Sequence, residues 1–236
     1  MNLHKNLIKF LLRKLLIFSL IVIFIALFFN ISFSQTLNDY KAIASGNWGT
    51  AANWQRYNGS SWVAAGTSPS NTSETVTISF GTTITLDVNL SLDQLVINGT
   101  LSLNAGDSLN IVNGSGTDLT LTGIINGAGN IFVNSGALVD MQSGTLTGAG
   151  IMTVSSGGTF SISNSTVTID RVLNNNGTVN WNSGTISGSG TFNNNNIFNN
   201  QTVFGSSFNN TFNNYSTFTK NSNNQNIFFG VFNNTG

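Results

Sequence analysis

The chain of 236 residues carries 8 basic and 8 acidic side chains, one His, no Cys, one Pro, 25 Gly and 38 Asn. From Gln35 onward only Lys41, Arg56, Arg171 and Lys220 stand against all eight acids, and no His remains. This excludes Ser-His-Asp and Cys-His nucleophiles, Cys/His zinc sites and a disulfide framework. Four scattered cations also exclude the basic surface that nucleic acids require.

The first segment, 1–34, reads as a signal peptide. His4, Lys5, Lys9, Arg13 and Lys14 form a basic start, and an apolar run extends from Leu15 to Phe29. Ser32 and Ser34 then place small residues before a cut at Gln35, the pattern signal peptidase reads. An uncleaved anchor is the alternative, because 15–33 approaches the ~20 apolar residues that span a bilayer. Either way the remainder is secreted or held at the cell surface, and membrane contact comes only through the export signal.

Residues 35–73 read as an N-terminal aromatic cap. They hold Trp48, Trp54, Trp62, Tyr40, Tyr57 and the single proline, Pro69, and no regular step runs through them. A stacked repeat fold needs an atypical terminal unit to cover its first open edge.

From residue 74 onward apolar residues alternate with Thr, Ser and Asn, as in Thr75-Val76-Thr77-Ile78 and Thr83-Ile84-Thr85-Leu86. Alternation in short runs broken by Gly and Asn is the strand signal. Asn-Gly pairs, such as 98–99 and 126–127, mark tight turns. A step of twenty links Phe132, Met152, Val172, Phe192, Phe212 and Phe232, and Phe-Asn-Asn recurs at 192–194, 212–214 and 232–234. Phe198 with Phe218 and Phe208 with Phe228 repeat the same step. A period of ~20 residues holding two or three short strands is one coil of a parallel β-solenoid, whose coils bury their apolar faces only by stacking. The six-residue ladder then forms an interior stack at a spacing of ~4.8 Å. The Asn pairs fall at corners, where their amides ladder between coils. Residues 74–236 thus read as solenoid repeats of an all-β fold, truncated within a repeat at the C-terminus.

The order Ala44-Ser45-Gly46-Asn47-Trp48, Ala52-Asn53-Trp54, Ser68-Pro69-Ser70, followed by Leu95-Val96-Ile97-Asn98-Gly99-Thr100-Leu101, resembles the start of large exported repeat proteins of Gram-negative bacteria. The resemblance covers most of the chain after Gln35. It implies a right-handed parallel β-helix, similar in principle to filamentous haemagglutinin and autotransporter passenger domains, at the outer membrane or shed from it. It also implies that this chain is a fragment of a longer protein.

Candidate sites are sparse. The acids Asp39, Glu74, Asp87, Asp93, Asp107, Asp118, Asp140 and Asp170 are scattered about one per coil, whereas sugar cleavage needs a carboxylate pair at a defined separation. Asp170 and Arg171 are placed to form a local ion pair. Asp87, Asn89 and Asp93 offer oxygen ligands of the kind Ca²⁺ takes, without the Gly-rich nonapeptide of calcium-binding β-rolls. Trp48, Trp54 and Trp62 either stack on sugar rings or bury themselves in the cap; Trp181 is left to either face. Thr-x-Thr at 75–77, 83–85, 120–122, 145–147 and 166–168 is the pattern an ice-binding face would show, with 145, 166 and 185 in stacking register. The expected function is non-enzymatic: an adhesin stalk or matrix component, with no catalytic residue and no cofactor. Its partners are a glycan or other cell-surface ligand and further copies joined end to end. A polysaccharide-acting β-helix enzyme or carbohydrate-binding module is the alternative, and an ice-binding solenoid a minor one.

Overall fold

The structure, a computed structural model, describes residues 35–202, 205–221, 227–228 and 230–235. The signal segment at 1–34 lies outside the described residues. Period-two alternation produces strands of mostly three or four residues with one buried face: in Thr83–Leu86, Ile84 and Leu86 are buried and Thr83 is exposed. Each strand is too short to be stable alone and stacks in parallel on its counterpart in the preceding coil. Among the described residues the strands form three sheets, of eleven, nine and eight strands. We call them sheets I, II and III in the order a coil meets them; the first full coil contributes Val76–Ile78, Thr83–Leu86 and Leu90–Leu92 in turn.

Coil length varies because the corners vary. Val76 lies against Leu95, 19 residues on; Leu95 against Leu119, 24 on; Leu119 against Val139, 20 on. The strict step of twenty therefore fails upstream. Ile131 faces Met152 and Met152 faces Leu173, each 21 residues apart, before Leu173 meets Phe192, Phe212 and Phe232. Phe132 and Val172 are one position out of this stack, and a one-residue offset turns a side chain to the opposite face. Phe132 is half-buried beside Thr153, and Val172 is 38% exposed. The interior ladder of sheet III is thus Leu109, Ile131, Met152, Leu173, Phe192, Phe212 and Phe232.

The core is aliphatic upstream and aromatic downstream. Phe192, Phe198, Phe208 and Phe212 are buried and meet edge to face across the coil, with ring centroids 4.9 Å apart for Phe198–Phe212 and 5.1 Å for Phe192–Phe208. Along the axis the rings stack, at 5.6 Å for Phe198–Phe218 and 5.4 Å for Phe212–Phe232. Both geometries suit the aromatic quadrupole.

Trp54–Tyr57 and Trp62–Ala64 form an antiparallel hairpin that extends sheet I beyond Tyr40–Ala42. Tyr40–Ala42 itself pairs in parallel with Val76–Ile78. Trp48 and Trp54 are buried and cross edge to face at 4.8 Å. Their indole N–H groups donate to the carbonyls of Pro69 (3.0 Å) and Trp48 (2.9 Å).

At the corner between sheets I and II the coils approach too closely for a side chain at the glycine positions. A Cβ on Gly123 would lie 2.1 Å from the Gly99 carbonyl oxygen, and one on Gly144 would lie 2.0 Å from that of Gly123. Gly123→Ala should therefore lower stability by about 1–3 kcal/mol or more through backbone displacement. Gly66→Ala, where a Cβ meets nothing within 4 Å, should leave it unchanged. Urea midpoints of the two variants check this.

Candidate functional site

Asp39, Asp87, Asp118 and Asp170 clamp backbone amides. Asp39 accepts from the Thr36 and Thr75 amides, at 2.7 and 3.0 Å. Buried Asp118 accepts from Gly114 N and Leu138 N, both at 2.7 Å. Asp93 and Asp118 do flank one residue: a Cβ on Gly114 would lie 2.9 Å from Asp93 Oδ2 and 3.1 Å from Asp118 Oδ1. Both Asp118 oxygens are nevertheless tied to amides, and burial separates it from any substrate. Asp170 and Arg171 do not pair. Neighbours on a coil point to opposite faces, so Asp170 accepts from Ser189 N at 2.8 Å while Arg171 turns inward.

Two of the three candidate calcium ligands are engaged in hydrogen bonds between coils. Asp87 accepts from Gly49 N at 3.3 Å, and Asn89 accepts from the Ser108 hydroxyl at 3.0 Å. No three His, Cys, Asp or Glu side chains converge among the described residues. Of the cap tryptophans, Trp48 and Trp54 are sealed in the core and present no platform. Trp62 is half-buried, packs against Tyr57 at 5.5 Å and carries the Lys41 ammonium 4.3 Å above its ring. Trp181 is buried, with its indole N–H on the Gly184 carbonyl at 3.0 Å.

The Thr-x-Thr triplets do not build one array. Those at 75–77 and 120–122 lie along sheet I, and those at 83–85 and 145–147 along sheet II. Thr145 faces Thr168, not Thr166, and Thr168 faces Ser187. The outward row on sheet II is Thr83, Thr100, Ile124, Thr145, Thr168 and Ser187, interrupted by an aliphatic residue.

Polar side chains inside the coils complete the backbone bonding. On the inner row, Asn175 Nδ2 donates to Asn194 Oδ1 (2.7 Å), Asn194 to Asn214 (2.6 Å) and Asn214 to Asn234 (2.7 Å). The outer row runs the opposite way: Asn193 donates to Asn174, Asn213 to Asn193 and Asn233 to Asn213. Arg171 occupies the corner between sheets II and III. Its Nη2 donates to the carbonyls of Thr147 (2.7 Å) and Gly127 (3.3 Å), reaching across earlier coils, while Nη1 has no partner. Burial without a carboxylate lowers its pKa to about 10. A base whose folded value is depressed leaves the unfolded chain holding more protons between the two values, so there stability rises with pH. Relative to Arg171→Met, which keeps the bulk without the charge, the wild-type chain should gain stability as pH climbs past about 10. Urea midpoints of both proteins below and above that value check the sign.

One concave surface was not visible in the sequence. An open groove of about 510 Å³ follows the corner between sheets I and II over four successive coils. Its lining includes the glycine series Gly99, Gly123 and Gly144, the polar walls of Thr83, Thr100, Asn98 and Thr122, and Ile124, 40% exposed. Phe80 stands at its lip with 91% of its surface exposed. The first corner, 79–82, has four residues, whereas the next two, 98–99 and 122–123, have two each. The longer turn therefore forms a shoulder, pinned by the Thr82 hydroxyl donating to the Ser79 carbonyl at 2.7 Å. The Thr122 hydroxyl donates to Asn98 Oδ1 at 2.7 Å, which fixes that amide at the wall. No charged residue lines the groove, so the arrangement is suited to recognition of neutral groups, not to acid–base chemistry.

No family model matches the chain, and neither a curated protein nor a solved structure matches it. The β-solenoid stands on its own strand registers, and its tie to the exported Gram-negative repeat proteins rests on the sequence resemblance alone.

Proposed function

We propose that the chain is a non-enzymatic solenoid displayed outside the cell, as an adhesin stalk or matrix component. The observation that carries this reading is where its polar groups go. Asp39, Asp118, Arg171 and the inner Asn row are engaged in fastening coil to coil, an allocation that serves a spacer better than a catalyst. The export pattern at 1–34 and the resemblance to passenger-type repeats support the location. Antibody labelling of intact cells of the source organism tests it, together with adhesion of a strain lacking the chain. Surface labelling with weakened adhesion or matrix cohesion is expected. Cytoplasmic retention, or a loss of polysaccharide breakdown without a change in adhesion, would overturn it.

The same proposal includes self-association of the chain, for which exposed apolar positions such as Val231 (57% exposed) and Phe232 (40% exposed) are the candidate contacts. Sedimentation across a concentration series should show reversible association of the chain, and Val231→Lys should weaken it.

A further inference from the structure

We propose that the corner groove beneath Phe80 binds a neutral polysaccharide chain. Three features of the site point to this class of ligand. The first is Phe80 itself. No other large apolar side chain among the described residues is as exposed, and Phe80 sits on a hydrogen-bonded turn instead of a loose one. A ring held out to solvent at the lip of a concave surface is a platform for the C–H face of a sugar. The second is the glycine series. Gly99, Gly123 and Gly144 carry no side chain, and the backbone of the preceding coil stands where a Cβ would lie, so these three lining positions stay bare. The third is the walls. Thr83 and Thr100 present hydroxyls in register on adjacent strands. Asn98, exposed and with its Oδ1 accepting from Thr122, presents its Nδ2.

Charge and shape narrow the ligand further. The lining contains no Lys, Arg, Asp or Glu, so a uronate or sulfated sugar would lose hydration without gaining a counter-charge. A neutral sugar gives up only hydroxyl hydration, which Thr and Asn replace. The groove volume lies within the ~300–1,000 Å³ range of small-ligand sites, but its lining runs along four stacked coils at a spacing of ~4.8 Å. That elongation along the axis suits several linked sugar units better than one. This inference deepens the proposed extracellular function by naming a ligand. Binding is measured on the purified protein, so it stands or falls separately from surface display.

The test is affinity electrophoresis of the full chain in native gels containing hydroxyethyl cellulose, mixed-linkage β-glucan, mannan or, as an acidic comparison, polygalacturonate. Retardation by at least one neutral polymer is expected. Phe80→Ala should weaken it by roughly tenfold, the loss of one stacking contact. Phe80→Trp should retain it, Thr100→Val should reduce it severalfold, and Tyr215→Ala, an exposed aromatic outside the groove lining, should leave it unchanged. An unchanged circular dichroism spectrum for Phe80→Ala, a surface substitution, would assign the loss to the site. No retardation by any neutral polymer would overturn the proposal, as would retardation indifferent to Phe80→Ala or stronger with polygalacturonate. A self-association that disappears in Phe80→Ala without polymer would overturn it too, by assigning the ring to a second copy of the chain.

Discussion

Phe212→Ala should destabilise the solenoid by about 3–5 kcal/mol, the range for emptying a large aromatic from a packed core. Phe212 is buried and touches rings on every side: Phe198 at 4.9 Å, Phe208 at 5.4 Å, Phe218 at 5.7 Å and Phe232 at 5.4 Å. Its neighbours belong to stacked coils, and stability in such arrays resides in nearest-neighbour interfaces. The cavity would loosen contacts on both sides of its own coil. Phe232→Ala removes the same ring from a position already 40% exposed and should have a much smaller effect. Phe132→Ala, on the outer face, should have less effect than Phe212→Ala. Urea midpoints for the three variants give the ranking directly. Equal, negligible shifts at 212 and 232 would mean that the downstream rings do not form a packed core.

That ranking also shows which parts of the fold the sequence reveals. Alternation of apolar and polar residues marks strand faces such as Thr83–Leu86 and Thr100–Leu103, since a half-buried strand has a period of two regardless of its coil. The downstream ladder 192, 212, 232 is legible because those coils keep one length. Upstream, the coils from Ile131 to Met152 and from Met152 to Leu173 have 21 residues and the coil from Leu173 to Phe192 has 19, so a fixed step of twenty lands on Phe132 and Val172 instead of Ile131 and Leu173. The amide ladders at the corners follow from the recurring Phe-Asn-Asn. Phe80 was hidden by the same periodicity that reveals the strands. Val76, Ile78 and Phe80 alternate without interruption, so Phe80 reads as a third inward residue. The strand ends at Ile78, and only the three-dimensional turn lifts the ring to the surface. The role of Arg171 is concealed for a different reason. Beside Asp170 it looks like half of an ion pair, but adjacent residues face apart, and the carbonyls at a glycine-lined corner are what it meets.

The inner Asn row makes the second large prediction. Asn194 donates from Nδ2 to Asn214 Oδ1 at 2.6 Å and to the Thr217 carbonyl at 2.9 Å, and its Oδ1 accepts from Asn175 Nδ2 at 2.7 Å. Asn175 and Asn214 are themselves buried. Asn194→Leu keeps the volume while leaving a donor on one side and acceptors on the other without partners. Orphaned buried groups cost about 1–3 kcal/mol each, so a loss of about 2–5 kcal/mol is expected. Asn193→Ala removes the neighbouring amide from the outer row, where water replaces its bonds to Asn174 and Asn213. It should cost about 0.5–1 kcal/mol. Asn194→Asp should be worse than Asn194→Leu, because a carboxylate at this position cannot donate to Asn214 or Thr217 and sits buried without a counter-charge. The decisive measurement is the pair. In Asn194→Leu, Asn214 Oδ1 is orphaned; in Asn214→Leu, Asn194 Nδ2 loses that acceptor; in the double variant neither amide remains to be stranded. The double loss should therefore fall short of the sum of the singles by about 1–3 kcal/mol. Strict additivity would mean that each amide is held by its own corner carbonyl and that the ladder between coils carries none of the stability.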